Sequence, residues 1–223
     1  MKFHIITLFP KAFDSYLGES ILKRAIEDKK LKVSFYNPRD FADNDYMRID
    51  RPPYGGGPGM VIQAEPVISA IEKAIKQTPP NPPLSKGGAK GGVKIIFLSP
   101  TGKQFTNEYA KSVSKKFTDI IIVSGRYEGI DARVKKVFKM EEISVGPFVL
   151  TGGELPAMLM IDVIARQVEG ILGNFDSLEE KRIGGDSYTR PEVFTHKGKK
   201  YAVPKVLLSG HRAKIEEWKK KQK

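Results

Sequence analysis

The sequence predicts an α/β fold in which a mostly parallel sheet is covered by helices on both faces. Short runs of apolar, β-prone residues alternate with segments of helical spacing over most of the 223 residues, and this alternation is typical of parallel sheets. Two of the apolar runs are followed by glycine-bearing loops. Ligands of open α/β sheets bind at such loops, at the carboxyl ends of the strands. The sequence therefore also predicts a nucleotide-like crevice at that edge.

The N-terminal part begins with a predicted strand over residues 3–8, a helix over 20–27 and a second strand over 33–36. The helix is predicted because its apolar residues fall on one face. Residues 40–59 show no periodicity and contain many turn-forming residues, which predicts a long loop. Helical spacing resumes over 65–76.

Residues 78–92 are a Pro- and Gly-rich stretch that we interpret as a flexible insertion without chemistry. Beyond it the same two patterns alternate again. They predict strands over 94–98, 119–123 and 143–145, and helices over 107–116, 130–138 and 155–168.

The character of the chain changes after residue 172. We expect a catalytic domain over 1–172, an interdomain linker over 173–187 and a short, mainly helical C-terminal region over 188–223. The last part includes a basic helix with the single tryptophan, Trp218. Because so few residues do not easily form their own core, we expect this region to pack on the main domain or on a partner subunit.

Composition narrows the classes of function. The formal net charge of +12 favours an anionic partner, nucleic acid before a membrane surface. The absence of cysteine excludes disulfides, thiolate metal sites and thiol nucleophiles. No apolar run approaches the roughly 20 residues of a membrane span, so we expect a soluble cytoplasmic protein.

Three glycine-bearing loops carry the chemistry of the sequence, at residues 54–59, 124–131 and 145–154. None contains a dinucleotide-binding G-x-G-x-x-G after a strand, and the first is not followed by the Lys-Ser/Thr of a P-loop. His4, His196 and His211 show no metal-ligand spacing. We expect these histidines to be surface or capping residues.

Five segments, taken together in their order and spacing, resemble the bacterial tRNA (guanine-N(1)-)-methyltransferases, which modify the guanosine next to the anticodon. The segments are 50–60, 125–131, 152–157, 188–192 and 207–211. The resemblance runs from the first strand to the final helix, except for the Pro/Gly insertion. It implies the SPOUT fold with a deep trefoil knot, a homodimer, and S-adenosylmethionine as the methyl donor.

The resemblance also implies a donor pocket in the knot. Its members would be Pro100, Gly125, Tyr127, Glu128, Gly129, Ser144, Val145, Gly146, Pro147, Phe148, Val149, Leu150, Gly152 and Gly153. The chemistry is reasonable because Val145 and Leu150 can enclose an adenine ring, and Glu128 can meet the cationic end of the methionine moiety.

Methylation of guanine N1 requires a base that takes the N1 proton and a cation near O6. The resemblance gives the second role to Arg166; its spacing from Asp162 alone would indicate only a surface ion pair. The family base is a linker aspartate that acts across the dimer. Here an ungapped alignment places Lys181 at that position and a one-residue gap places Glu180, while the local Asp-Ser pair favours Asp186. We prefer Glu180, with Asp186 and Asp176 in reserve.

In the family the C-terminal region grips the anticodon arm of tRNA. This chain ends soon after the lysines at 219–221, which can contact phosphates but do not select sequence. We assign selection to Arg190 with the linker, through a flipped base. The family makes Mg²⁺ a candidate ion, although no ligand set is visible in the sequence. Two alternatives remain: a catalytically impaired RNA-binding relative, and a dinucleotide-dependent oxidoreductase, which the missing fingerprint disfavours.

Overall fold

The computed structural model describes residues 1–78, 91–172 and 186–221. They belong to two compact units, residues 1–173 and 174–223. Most of the predicted insertion at 78–92 and of the predicted linker at 173–187 lies outside the described residues.

The first unit alternates strands and helices in chain order. Its elements are β1 (Lys2–Ile6), α1 (Asp14–Leu17), α2 (Ser20–Glu27), β2 (Lys32–Tyr36), β3 (Asp50–Arg51), β4 (Val61–Ile62), α3 (Ala64–Lys76), β5 (Val93–Gln104), α4 (Asn107–Lys116), β6 (Asp119–Val123), α5 (Val134–Val137), β7 (Glu141–Ser144) and α6 (Glu154–Ala165). Short 3-10 turns occur at Pro10–Phe13 and Pro38–Phe41.

Five of these strands form one sheet in the order β2-β1-β6-β5-β7, and every pairing in it is parallel. The central strand β6 is fully buried, and its side chains alternate between two hydrophobic clusters. Ile120 and Ile122 pack in the cluster with α2, α4 and α6, whereas Ile121 and Val123 pack in the cluster with α3. Helices therefore cover both faces, as predicted. Burying each such side chain contributes about 1.5–3 kcal/mol to stability.

Strand β5 does not end at Leu98, as the sequence predicted, but continues to Gln104. Leu98 and Lys103 both align with Ile143 of β7, so the four residues between them form an irregularity in the strand. The prediction was wrong because Ser99-Pro100-Thr101-Gly102 has the composition of a turn, and here a bulge accommodates it within the strand.

The helix predicted over 130–138 is reduced to α5, Val134–Val137. Ile130 instead forms a parallel bridge with Ile62. The side chain of Asp131 accepts a hydrogen bond from the backbone N–H of Arg133 at 2.9 Å, which holds the chain in a turn before the helix. The predicted loop over 40–59 likewise contains β3, which pairs antiparallel with β4.

The second unit contains β8 (Val193–His196), β9 (Lys199–Ala202), α7 (Lys205–Leu208) and α8 (Arg212–Lys221). Strands β8 and β9 form an antiparallel hairpin that the expectation of a mainly helical region omitted. None of the described helices has the length and apolarity that a membrane crossing needs.

His4 corrects one further expectation, because it is buried and not at the surface. Its Nε2 lies 3.1 Å from Asp119 Oδ1, and its Nδ1 lies 2.9 Å from the Tyr36 hydroxyl. The Tyr36 hydroxyl in turn donates to Gln77 Oε1 at 2.9 Å. This polar chain joins β1, β2 and β6 to the end of α3.

Candidate functional site

The loops that follow β6 and β7 are joined into one wall at the carboxyl edge of the sheet. The Gly153 N–H donates to the Gly125 carbonyl at 2.9 Å, and the Ser124 hydroxyl donates to the Gly153 carbonyl at 3.2 Å. Arg126 and Gly152 add an antiparallel bridge. Gly153 is required for this close approach, because a Cβ there would lie 2.7 Å from Ser124 Cα.

A cavity of about 270 Å³ opens against this wall. Twelve of the fourteen residues expected in the donor pocket line it: Pro100, Gly125, Tyr127, Glu128, Gly129, Ser144, Val145, Phe148, Val149, Leu150, Gly152 and Gly153. Gly146 and Pro147 are not among the lining residues. The structure thus brings one set of residues together from three separate stretches of the chain.

The cavity is also lined by six residues that the sequence had not indicated: Leu98, Ser99, Arg126, Ile143, Thr151 and Pro156. Ser99 belongs to the irregularity in β5, which brings this stretch to the cavity. The remaining five lie within or next to the strands and loops that the sequence had indicated. Their position beside the expected pocket residues was the one signal that could have identified them.

Arg126 anchors the wall to the body of the protein through a buried carboxylate. Its Nε lies 2.9 Å from Oε2 of Glu154, a charge contact without the alignment of a hydrogen bond. Glu154 is only 3% exposed and accepts a hydrogen bond from the Thr7 hydroxyl at 2.8 Å. The guanidinium also lies 4.7 Å from the centre of the Phe9 ring. This network connects the end of β1, the loop that follows β6 and the first turn of α6.

The glycine loop at 54–59 borders the same site. The Glu128 N–H donates to the Met60 carbonyl at 3.0 Å, and the Ile62 N–H donates to the Gly129 carbonyl at 3.0 Å. The loop therefore lies beside Glu128, which lines the cavity. Tyr54, the first residue of this loop, is fully exposed.

Arg166 is not among the residues that line this cavity. It follows the last residue of α6, whereas the cavity lies at the first turn of that helix, so the two are about 18 Å apart along the helix axis. The Tyr16 hydroxyl donates to Asp162 Oδ2 at 2.7 Å, one turn before Arg166. This hydrogen bond is the main cause that raises the pKa of Tyr16, and the charge of Arg166 opposes it.

Of the three candidate bases, only Asp186 belongs to the described residues, and it is exposed in the second unit. Glu180 and Asp176 lie outside them. Arg190 lines a cavity of about 550 Å³ within the second unit, together with Tyr188, Thr189, Glu192, Val203, Leu207 and Leu208. Over the part of the chain that the structure describes, no three His, Cys, Asp or Glu side chains come together as a metal-binding group.

Comparison with known proteins identifies the family of this chain. A family model described as tRNA (Guanine-1)-methyltransferase TrmD matches residues 1–223. Proteins named tRNA (guanine-N(1)-)-methyltransferase from Campylobacter jejuni subsp. doylei, Clostridioides difficile and Caldanaerobacter subterraneus subsp. tengcongensis are 44%, 43% and 44% identical to this chain. The alignments cover 96%, 100% and 100% of this chain and 88%, 92% and 86% of those relatives. The chain therefore belongs to the tRNA (Guanine-1)-methyltransferase TrmD family.

Proposed function

We propose that this chain transfers a methyl group from S-adenosylmethionine to N1 of the guanosine that lies 3′ to the anticodon in tRNA. The observation that carries the proposal is the cavity formed by the two joined glycine loops. Its lining includes twelve of the fourteen positions at which a TrmD-type enzyme is expected to hold its donor. The family membership of the whole chain supports the choice of tRNA and guanine N1.

The residues around the cavity fit the donor in chemistry. Val145 and Leu150 provide apolar surface for the adenine, and the backbone N–H and C=O groups of the glycine loops are available to its polar edge. Glu128 provides a carboxylate for the ammonium group of the methionine moiety. When bound, the donor supplies an electrophilic methyl group on a sulfonium centre.

We extend the proposal to the SPOUT trefoil knot. The chain leaves β7, forms the loop at 145–153 and returns to hydrogen-bond with the loop that follows β6. This return supports a threaded arrangement, since a knot requires the second loop to pass close to the first.

A homodimer is the second extension, and α6 supplies the argument for it. Leu155 and Leu159 are 58% and 39% exposed, and they continue on the same helical face to Asp162 and Arg166. An apolar stripe of this kind is suited to a partner surface. Within one protomer, Arg166 lies too far from the donor cavity to reach it. If a second copy of the chain packed along α6, the Arg166 of one protomer would come close to the donor cavity of the other. There its guanidinium would stabilise the charge that develops on guanine O6.

The proton on guanine N1 must leave as the methyl group arrives. We assign the role of the base that accepts it to Glu180, with Asp186 and Asp176 as the other candidates. A carboxylate within hydrogen-bond reach of N1 can accept it. Separate substitution of the three by the matching amides tests the assignment. We expect one amide variant to lose turnover while its affinity for tRNA is retained; loss of tRNA binding in that variant would contradict a role as base.

The second unit completes the proposal as the part that grips the anticodon arm. Its final helix carries Lys219, Lys220 and Lys221 in the last turn, where they can contact phosphates. Arg190 is assigned to selection of the flipped base. With tRNA as the substrate, we propose a cytoplasmic location for the enzyme. The residues of the cavity are assigned to the donor, and Mg²⁺ stays a candidate ion because of the family.

Transfer of labelled methyl from S-adenosylmethionine to unmodified tRNA transcripts tests the proposed function. One transcript carries guanosine 3′ to the anticodon and its matched control carries adenosine. We expect label on the guanosine transcript only. Donor binding without label on either transcript would favour a catalytically impaired RNA-binding relative.

A further inference from the structure

The hairpin of β8 and β9 has a tight, well-defined turn. Lys197 and Gly198 connect the strands, and both have positive φ angles, 47° and 77°. A two-residue loop with this conformation is the type I′ turn, whose twist matches that of the paired strands. The turn fixes the register, so that Phe194 pairs with Tyr201 and Lys200 with Thr195.

The register divides the hairpin into two unlike faces. Phe194, His196, Lys199 and Tyr201 lie on one face, which we call the aromatic face. The rings of Phe194 and Tyr201 are stacked with centres 5.2 Å apart and an interplanar angle of 13°. Lys199 Nζ lies 5.5 Å from the centre of the Tyr201 ring. Lys200 belongs to the opposite face, which carries no aromatic residue.

The aromatic face is exposed within its unit. Phe194 and Tyr201 are 55% and 42% exposed. The ten residues from 193 to 202 include three lysines and no acidic residue. Exposed rings beside cations are the combination with which proteins hold unpaired nucleic acid, because bases stack on the rings and phosphates pair with the cations. The charge of this surface selects a polyanion over an ordinary protein partner.

We propose that the aromatic face is a stacking platform for an unpaired nucleobase of the RNA substrate, with Lys199 contacting a neighbouring phosphate. This inference rests on the proposed function, because the substrate is the tRNA of that reaction. It adds a binding site that is separate from the donor cavity, on a different unit of the chain. A base on this platform would hold the RNA without taking part in methyl transfer.

The full-length protein and an unmodified tRNA transcript provide the test. Base stacking is lost in Tyr201→Leu, so we expect its tRNA affinity to fall roughly 5- to 150-fold. We expect the donor affinity and the kcat at saturating tRNA to stay within about twofold of wild type. Tyr201→Trp keeps an aromatic ring and should retain most of the affinity, which separates stacking from misfolding of the hairpin.

Lys199→Ala and Lys200→Ala form a matched pair, because each removes one charge but only Lys199 lies on the aromatic face. Both should reduce the slope of log affinity against log salt if they contact phosphate, since each phosphate contact contributes about one unit. We expect Lys199→Ala to have the larger effect on affinity and slope.

Equal effects of the two lysine variants, with an unchanged affinity for Tyr201→Leu, would overturn the platform and leave only bulk charge. A change in sedimentation of the free protein for Tyr201→Leu would also overturn it, because the face would then bind a second copy. Failure of the wild-type protein to methylate tRNA would refute the proposed function instead, and direct binding measurements keep the two outcomes distinct.

Discussion

Substitution of Gly153 by alanine is the sharpest test of the joined loops. A Cβ at this position would lie 2.7 Å from Ser124 Cα and 3.0 Å from the Gly125 nitrogen, whereas ordinary contact begins at 3.4 Å. The two backbones must therefore separate by about 0.7 Å, which is 3.4 minus 2.7. Neither neighbour is a flexible side chain that can move aside, so the strain falls on the wall of the cavity.

The cost can be worked from these contacts. Overpacking of this size destabilises by about 1–3 kcal/mol. The separation also weakens the hydrogen bonds of Gly153 at 2.9 and 3.2 Å, each contributing about 1 kcal/mol net. We expect a loss of about 2–4 kcal/mol, which lowers Tm by roughly 4–15 °C in a protein of this size. Because the displaced backbone forms the wall of the cavity, we also expect donor affinity to fall at least tenfold, which corresponds to a loss of about 1.4 kcal/mol in binding free energy.

Thermal unfolding and calorimetric titration with S-adenosylmethionine measure the two effects. Gly125→Ala is the matched control for stability, since its Cβ would meet only the Ile130 side chain, at 3.7 Å. We expect its Tm to stay within about 2 °C of wild type, as for a change of roughly 0.5 kcal/mol. If the Tm of Gly153→Ala equals that of Gly125→Ala and its donor affinity equals that of wild type, the claim that the close backbone approach requires glycine at position 153 is refuted.

Three further predictions concern ionisable groups. Glu154→Ala removes the buried partner of Arg126, and because the guanidinium itself is partly exposed, the change should cost about 1–3 kcal/mol in urea unfolding; a loss below about 0.5 kcal/mol would contradict an anchoring role. Tyr16→Phe removes the hydrogen bond to Asp162, one turn before Arg166. Because Arg166 then loses a fixed neighbour, we expect kcat to fall roughly 2- to 10-fold without a change in donor affinity. Burial opposes ionisation of Glu141, but hydrogen bonds from its lysine and tyrosine partners outweigh burial and hold its pKa below the ordinary 4.5. Its stabilising effect is therefore present above pH 4.5 and is lost as the pH falls through the lowered pKa. The difference in Tm between wild type and Glu141→Gln should accordingly shrink in acid; a difference that grew in acid would contradict the predicted direction.

The central sheet was largely predictable because its signal is local. The run Asp119–Val123 is apolar throughout except for its first residue, and such a run is typical of a strand that is covered on both faces. The glycine loops at 124–131 and 145–154 follow strands directly, so their meeting at one edge followed from parallel topology.

Other features depend on contacts that no local pattern contains. The extension of β5 past Pro100 depends on pairing with β7, a distant strand that accommodates a turn-like sequence as a bulge. His4 is buried because Asp119 and Tyr36, far away in sequence, satisfy both of its ring nitrogens. The distance of Arg166 from the cavity follows from the length of α6, which fixes the two ends of one helix apart.

Identification of the methylated nucleoside tests the central claim most directly. A tRNA transcript with guanosine 3′ to the anticodon is incubated with the protein and S-adenosylmethionine, digested to nucleosides and separated by chromatography with mass detection. The account predicts 1-methylguanosine from this transcript and no methylated nucleoside from a matched transcript that carries adenosine at that position. A guanosine methylated at another atom, 1-methylguanosine from the adenosine transcript, or no methylated nucleoside from the guanosine transcript would contradict it.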